Sequence, residues 1–112
     1  MFFLIVYVPR SDLEGLKQAL FQAGAGQIGN YTECCWQTSG TGQFTSSKGA
    51  RPSIGQAGES TELNEIKIEI MCAAEKIDSI IAALLQAHPY ETPSFAYWPI
   101  LTEYTPPVKE SP

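Results

Sequence analysis

Residues 64–72 read NEIKIEIMC, with Ile66, Ile68 and Ile70 at alternate positions and Glu65, Lys67 and Glu69 in the places between. A period of two marks a strand with one buried face, and isoleucines so arranged require a second layer to cover them. The next segment supplies it: Ile77, Ile80, Ile81, Leu84 and Leu85 recur at helical spacing, and the pattern must stop before Pro89, because proline disfavours a helical residue ahead of it. The spacing predicts a strand over 64–72 and a helix over 74–87.

The same change of period occurs nearer the N-terminus. Residues 2–8 are a continuous run of aromatic and β-branched residues bounded by Pro9, which suits a strand covered on both faces or central in a sheet. Ser11 stands three residues before Glu14, the spacing of a capping box, and Leu13, Leu16, Leu20 and Ala23 form an apolar stripe that Gly24 closes, so a helix is expected over 11–23. Alternation over 31–38 predicts a second strand with Thr32, Cys34 and Trp36 on one face and Glu33, Cys35 and Gln37 on the other; the aromatic stretch 95–100 predicts the last strand. The order βαββαβ defines an α+β fold, a ferredoxin-like sandwich with a four-stranded antiparallel sheet and two helices on one face. Glu33, Cys35, Glu65, Lys67 and Glu69 are then expected on the open face, a mixed polar surface suited to solvent or to a neighbouring subunit.

Length and charge narrow the function. A chain of 112 residues has room for one core, read as a single domain over 1–101 followed by a polar, proline-bearing tail over 102–112. A net charge of −5 with seven Lys and Arg argues against nucleic-acid binding, which needs a basic stripe to neutralise phosphate. The apolar start ends at Pro9, too short for a bilayer span and without the basic flank of a signal peptide, so no membrane partner and a cytoplasmic location are expected. Three cysteines, two of them the neighbours Cys34 and Cys35, form no disulfide framework and no zinc-type CxxC pair; reduced, partly buried thiols are expected.

Two glycine-rich stretches invite a nucleotide reading and do not support it. Gly24, Gly26 and Gly29 match G-x-G-x-x-G, but they follow a helix and lead into a strand, the reverse of the order that brings a pyrophosphate to a helix N-terminus. The stretch 40–58 lacks the second glycine and the hydroxyl residue of a phosphate loop, since Ser47 and Gly49 stand in those places. So long a glycine-rich connection in a small domain reads as a functional loop or a loose hairpin.

The segments GAGQIGNYTECCWQTSGTGQF, GARPSIGQAG and AHPYETPSFAYWPI, in that order, resemble the PII-like or CutA-like domain inserted in the YqfO branch of the Nif-three-like dinuclear-metal-centre proteins. The resemblance runs from Phe2 to Leu101 and implies a PII/CutA-like sandwich that caps a separate two-metal domain rich in histidine and carboxylate. That surrounding domain has no counterpart here, and a single histidine is present, so the dinuclear site is not carried over. The matching positions are Gly24, Gly26, Gly29, Asn30 and Tyr31; Gly40, Gly42, Phe44, Pro52 and Gly55; and His88, Pro89, Tyr90, Glu91 and Pro93. Thr92 and Ala96 stand where the family usually has a carboxylate and an aspartate.

Three readings of His88 and Glu91 stand side by side. In the first they build a structural corner: His88 packs at the helix end bonded to a terminal carbonyl, and Glu91 accepts main-chain N–H bonds. In the second Asn30, Tyr31, His88, Tyr90 and Glu91 line a small-ligand pocket. In the third His88, Glu91 and Cys35 hold a divalent metal. No nucleophile and base are paired by any motif. The function expected is therefore a small non-enzymatic binding or regulatory module like the cap domain of Nif-three-like proteins. A CutA-like divalent-metal-binding protein is the alternative, and an accessory of a metal-dependent hydrolase the third reading. A homo-oligomer, trimeric as in PII and CutA proteins, is the expected assembly, with a small molecule or a protein as further partner.

Overall fold

The computed structural model describes residues 1–108. Four strands, β1 (Phe2–Pro9), β2 (Trp36–Thr45), β3 (Ser60–Cys72) and β4 (Phe95–Pro99), form one antiparallel sheet in the order β2-β3-β1-β4. Helices α1 (Leu13–Gln22) and α2 (Ile77–Ala87) pack on one face. This is the ferredoxin-like arrangement that the period switches predict, and β1 lies inside the sheet as its apolar run requires.

Register places the core. Leu4 pairs with Ile70, Val6 with Ile68 and Val8 with Ile66, and directly opposed residues share a face. These six meet Leu13, Leu16 and Leu20 of α1 and Ile77, Ile80 and Leu84 of α2, all buried. Burying each such side chain contributes about 1.5–3 kcal/mol, and the helical spacing of the leucines and isoleucines is what aims them at one layer.

The local expectations need four corrections. Ser11 is not an N-cap: its hydroxyl bonds the Asp12 carboxylate at 3.1 Å, and a 3-10 turn over Arg10–Asp12 precedes α1. The second strand begins at Trp36 rather than at residue 31. Before it the chain makes a tight turn closed by reciprocal main-chain bonds between Ile28 and Tyr31, and Cys34 donates its N–H to Gly26 at 2.9 Å. Glu33 sits there at φ 58°, off the sheet. The glycine-bearing 40–45 stretch is strand and not loop, because β3 extends back to Ser60 and its ladder outweighs the poor strand propensity of glycine. Finally, Trp36 pairs with Glu69 and Gln37 with Ile68, so Cys35 falls on the helix side, where it packs against the core, and not on the open face with Glu65, Lys67 and Glu69.

Gly26 explains why the approach to β2 is so close. It adopts φ +80°, and a Cβ there would meet the Cys34 carbonyl oxygen at 2.6 Å. Its own N–H reaches the Met71 carbonyl at 2.8 Å. A main-chain row Met71–Gly26–Cys34 thus extends the sheet past the start of β2.

The open face has two halves. At one end lie Phe3, opposed by Met71 and Trp98, and next to it the row Ala96, Ile5, Glu69 and Trp36; the Phe3 and Trp98 ring centroids are 5.3 Å apart. At the other end Tyr7, Lys67 and Thr38 stand in one cross-strand row next to Glu65. Residues 101–108 carry no secondary structure and are exposed; the rest of the tail read over 102–112, residues 109–112, lies outside the described residues.

Candidate functional site

The polar half of the open face is the floor of a groove of about 770 Å³. Tyr7, Glu65 and Lys67 line it below, residues 38–44 of β2 on one side, Tyr90, Glu91, Thr92 and Ser94 on the other, and Ala50, Pro52, Ser53 and Ile54 above. The rings of Tyr7, Phe44 and Tyr90 stand in the lining beside hydroxyl-bearing residues such as Thr38, Ser53, Thr92 and Ser94.

The wall that carries Tyr90 and Glu91 is set by His88. Proline at position 89 ends α2, and His88 takes an extended conformation, φ −73° and ψ 135°. Its ring is buried at 6% exposure. Nε2 lies 2.6 Å from the Tyr7 carbonyl oxygen and Nδ1 lies 3.1 Å from the Tyr90 N–H. A carbonyl only accepts and an N–H only donates, so the imidazole carries its proton on Nε2 and presents a lone pair at Nδ1. Both nitrogens are consumed by main chain from two different elements, and the carbonyl that His88 bonds belongs to β1 rather than to its own helix.

Tyr90 passes this order on to the groove. Its ring packs on the imidazole with centroids 4.8 Å apart, and its hydroxyl donates to Glu65 Oε2 at 2.9 Å. Burial first, then the Glu65 bond and charge, push the Tyr90 hydroxyl above its ordinary range, so it stays a donor. The Glu65 side chain lies across Gly42, where any Cβ would collide with its carboxylate. Glu91 accepts the main-chain N–H of Arg51 at 2.9 Å, a bond that joins the corner to the long loop between β2 and β3.

The residues singled out by sequence are thus dispersed. Tyr90 and Glu91 line the groove and His88 supports them from within. Asn30 and Tyr31 belong to the exposed 28–31 turn and are not among the groove's lining. Cys35 lies at a separate apolar depression with Ile28, Cys34, Trp36 and Met71, its thiol pushed up by burial while Lys17 pulls it the other way. Among the described residues no three His, Cys, Asp or Glu side chains converge to hold a metal, so His88, Glu91 and Cys35 do not form a site together. Sequence reasoning missed Tyr7, because its role lies in its carbonyl, and Arg51, because its role lies in its N–H; main-chain groups carry no sequence signal. Glu65 and Lys67 were legible as open-face residues.

Four antiparallel strands in this order, backed by two helices, with a groove under the β2–β3 connection, define a CutA/PII-like ferredoxin-like domain. The chain is 43% identical over 91 residues to the GTP cyclohydrolase 1 type 2 homolog of Mycobacterium tuberculosis, which covers 81% of this chain and 24% of that protein. It is 37% identical over 100 residues to the homolog of Halalkalibacterium halodurans, 89% of this chain and 27% of that protein. A Bacillus cereus protein related to NIF3 superposes with a TM-score of 0.75 at 33% identity, covering 88% of this chain and 25% of that one. CutA from Archaeoglobus fulgidus, described as a periplasmic divalent cation tolerance protein, superposes at 0.64 with 17% identity over 93% of this chain and 88% of that chain, a likeness of fold. No protein-family model matches. The chain is thus a homologue of one segment of these Nif-three-like proteins, with a CutA-like fold, and it spans about a quarter of the length of the curated relatives it matches. No helix among the described residues is long and apolar enough to cross a membrane.

Proposed function

We propose that this domain is a non-catalytic binding module whose ligand, a small polar molecule, enters the groove between the open sheet face, the 46–58 loop and the Tyr90–Glu91 corner. The groove itself carries the reading: its volume lies within the range of small-molecule sites, and its few charges stand among hydroxyls and rings. The hydrogen-bond chain from Tyr7 through His88 and Tyr90 to Glu65 fixes one wall before any ligand arrives, which lowers the ordering cost of binding. The same chain supports the non-catalytic reading, since the one imidazole is committed at both nitrogens to main chain. In the longer relatives such a module suits a regulatory cap.

A second reading has the groove take a divalent cation. Glu65 and Glu91 both open onto it among hydroxyl oxygens, the ligand type that hard cations prefer, and proteins of like fold are described as divalent cation tolerance proteins. Assembly belongs to the proposal too. The apolar half of the open face, with Trp36 68% and Trp98 40% exposed, suits burial in a homo-oligomer, with a trimer as the expected form.

A thermal-shift screen of metabolites and of divalent metals against the parent and Ser53→Trp, which fills the groove, tests the reading. A compound that stabilises the parent and not the variant supports it. If a metal alone does so, and dialysis followed by elemental analysis finds it bound, the second reading replaces the first. If nothing distinguishes the two proteins, the groove is not a binding site.

A further inference from the structure

The loop from Ser46 to Gly58 is closed at its neck and nearly free at its tip. At the neck the Gly58 N–H reaches the Ser46 carbonyl at 2.6 Å, and the Ser46 hydroxyl reaches the Gln56 carbonyl at 3.3 Å. Gly55, at φ +78°, packs against the Thr61 side chain. A loop whose ends are tied together moves as a unit about that neck, the form of a compact surface loop. Its tip, Ala50 to Ile54, roofs the groove. Among the described residues one hydrogen bond joins that tip to the body across the groove, the Arg51 main-chain N–H to the Glu91 carboxylate.

We propose that residues 46–58 form a lid over the groove and that Glu91 is its latch. The proposal rests on the groove being a binding site and adds how access to it is controlled. A ligand that fills the groove meets this roof, and a single bond to an exposed carboxylate is a restraint that water breaks readily. The latch is selective for main-chain position rather than for the side chain of Arg51, and Glu91 is held at the right place by the stiff segment between Pro89 and Pro93. A ligand carrying an anionic group can take over the Arg51 N–H, and one carrying a cationic group can take over Glu91, so occupancy and lid state are coupled in either case.

Trypsin reads the lid directly. Within it Lys48–Gly49 is a cleavable bond, whereas Arg51 is followed by Pro52 and resists cleavage. Glu91→Ala in the full chain is expected to speed cleavage at Lys48–Gly49 by roughly threefold to tenfold, and hydrogen exchange of the Arg51 amide by a similar factor, the effect of losing one charge-assisted hydrogen bond at a surface. Cleavage after Arg10 and Lys17, in the folded body, serves as the control and is expected to stay slow. Glu91→Gln, which keeps an acceptor oxygen, is expected to fall between. Unchanged rates at Lys48 and Arg51 in Glu91→Ala would overturn the latch while leaving the groove reading to its ligand screen. Equal acceleration at Lys48 and at the control sites would show global loosening and overturn it as well.

Discussion

The Nε2 of His88 lies 2.6 Å from the carbonyl oxygen of Tyr7, joining the C-terminal end of α2 to the end of β1 where the sheet meets the groove. No other side chain of the corner is as deeply buried, and the ring has no solvent to fall back on. His88→Ala is expected to destabilise the fold by about 2–4 kcal/mol, the sum of a vacated ring site and two main-chain groups left with poorer partners. Tyr90→Phe, which removes only the bond to Glu65, is expected to cost about 0.5–1.5 kcal/mol. Urea unfolding of the two variants checks the order.

Gly26→Ala tests the main-chain row that leads into β2. The new methyl would sit 2.6 Å from the Cys34 carbonyl oxygen and 2.9 Å from its nitrogen, in a backbone conformation of φ +80° that alanine rarely adopts. Backbone atoms cannot swing away as a flexible side chain can, so a loss of more than about 2 kcal/mol is expected. Gly49→Ala, with open space around its Cβ position, is expected to stay within about 0.5 kcal/mol.

Alkaline stability is expected to depend on Cys72. Burial pushes its thiol up from 9.0 to about 11, so the folded state resists forming the thiolate while the unfolded chain releases its proton first. The contribution is fully present below pH 9.0 and is lost as the pH rises through about 11, at up to ~1.4 kcal/mol per pH unit. Denaturant titrations from pH 8 to 11 should show a shallower decline in Cys72→Ala. A disulfide reagent at neutral pH should label the half-buried Cys34 and Cys35 first and Cys72 only on unfolding.

The apolar half of the open face predicts self-association. Trp98→Glu places a charge beside Phe3, whose ring centroid is 5.3 Å from that of Trp98, and light scattering should find it shifted toward the monomer relative to the parent. A parent that is monomeric at high concentration would remove the assembly proposal.

Periodicity alone determined the architecture. Ile66, Ile68 and Ile70 alternate and Ile77, Ile80 and Leu84 do not, and that contrast requires a sheet with helices on one face whatever else the chain does, because burying the apolar side chains is the largest favourable term available. The Pro89 corner was equally legible, since proline's ring restricts the backbone without reference to any neighbour. The start of β2 was not. Its parity turns on Glu33 at φ 58° and on the bond from Cys34 to Gly26, and a single misplaced residue exchanges the two faces, which is why Cys35 points to the core and Trp36 to the open side. Gly40 and Gly42 extend into strand because β3 pairs them, a cross-strand gain invisible to local propensity. The groove was decided last. Tyr7, Glu65, Arg51 and Glu91 are far apart in sequence, and two of their bonds use main-chain atoms, so only the folded chain could bring them together.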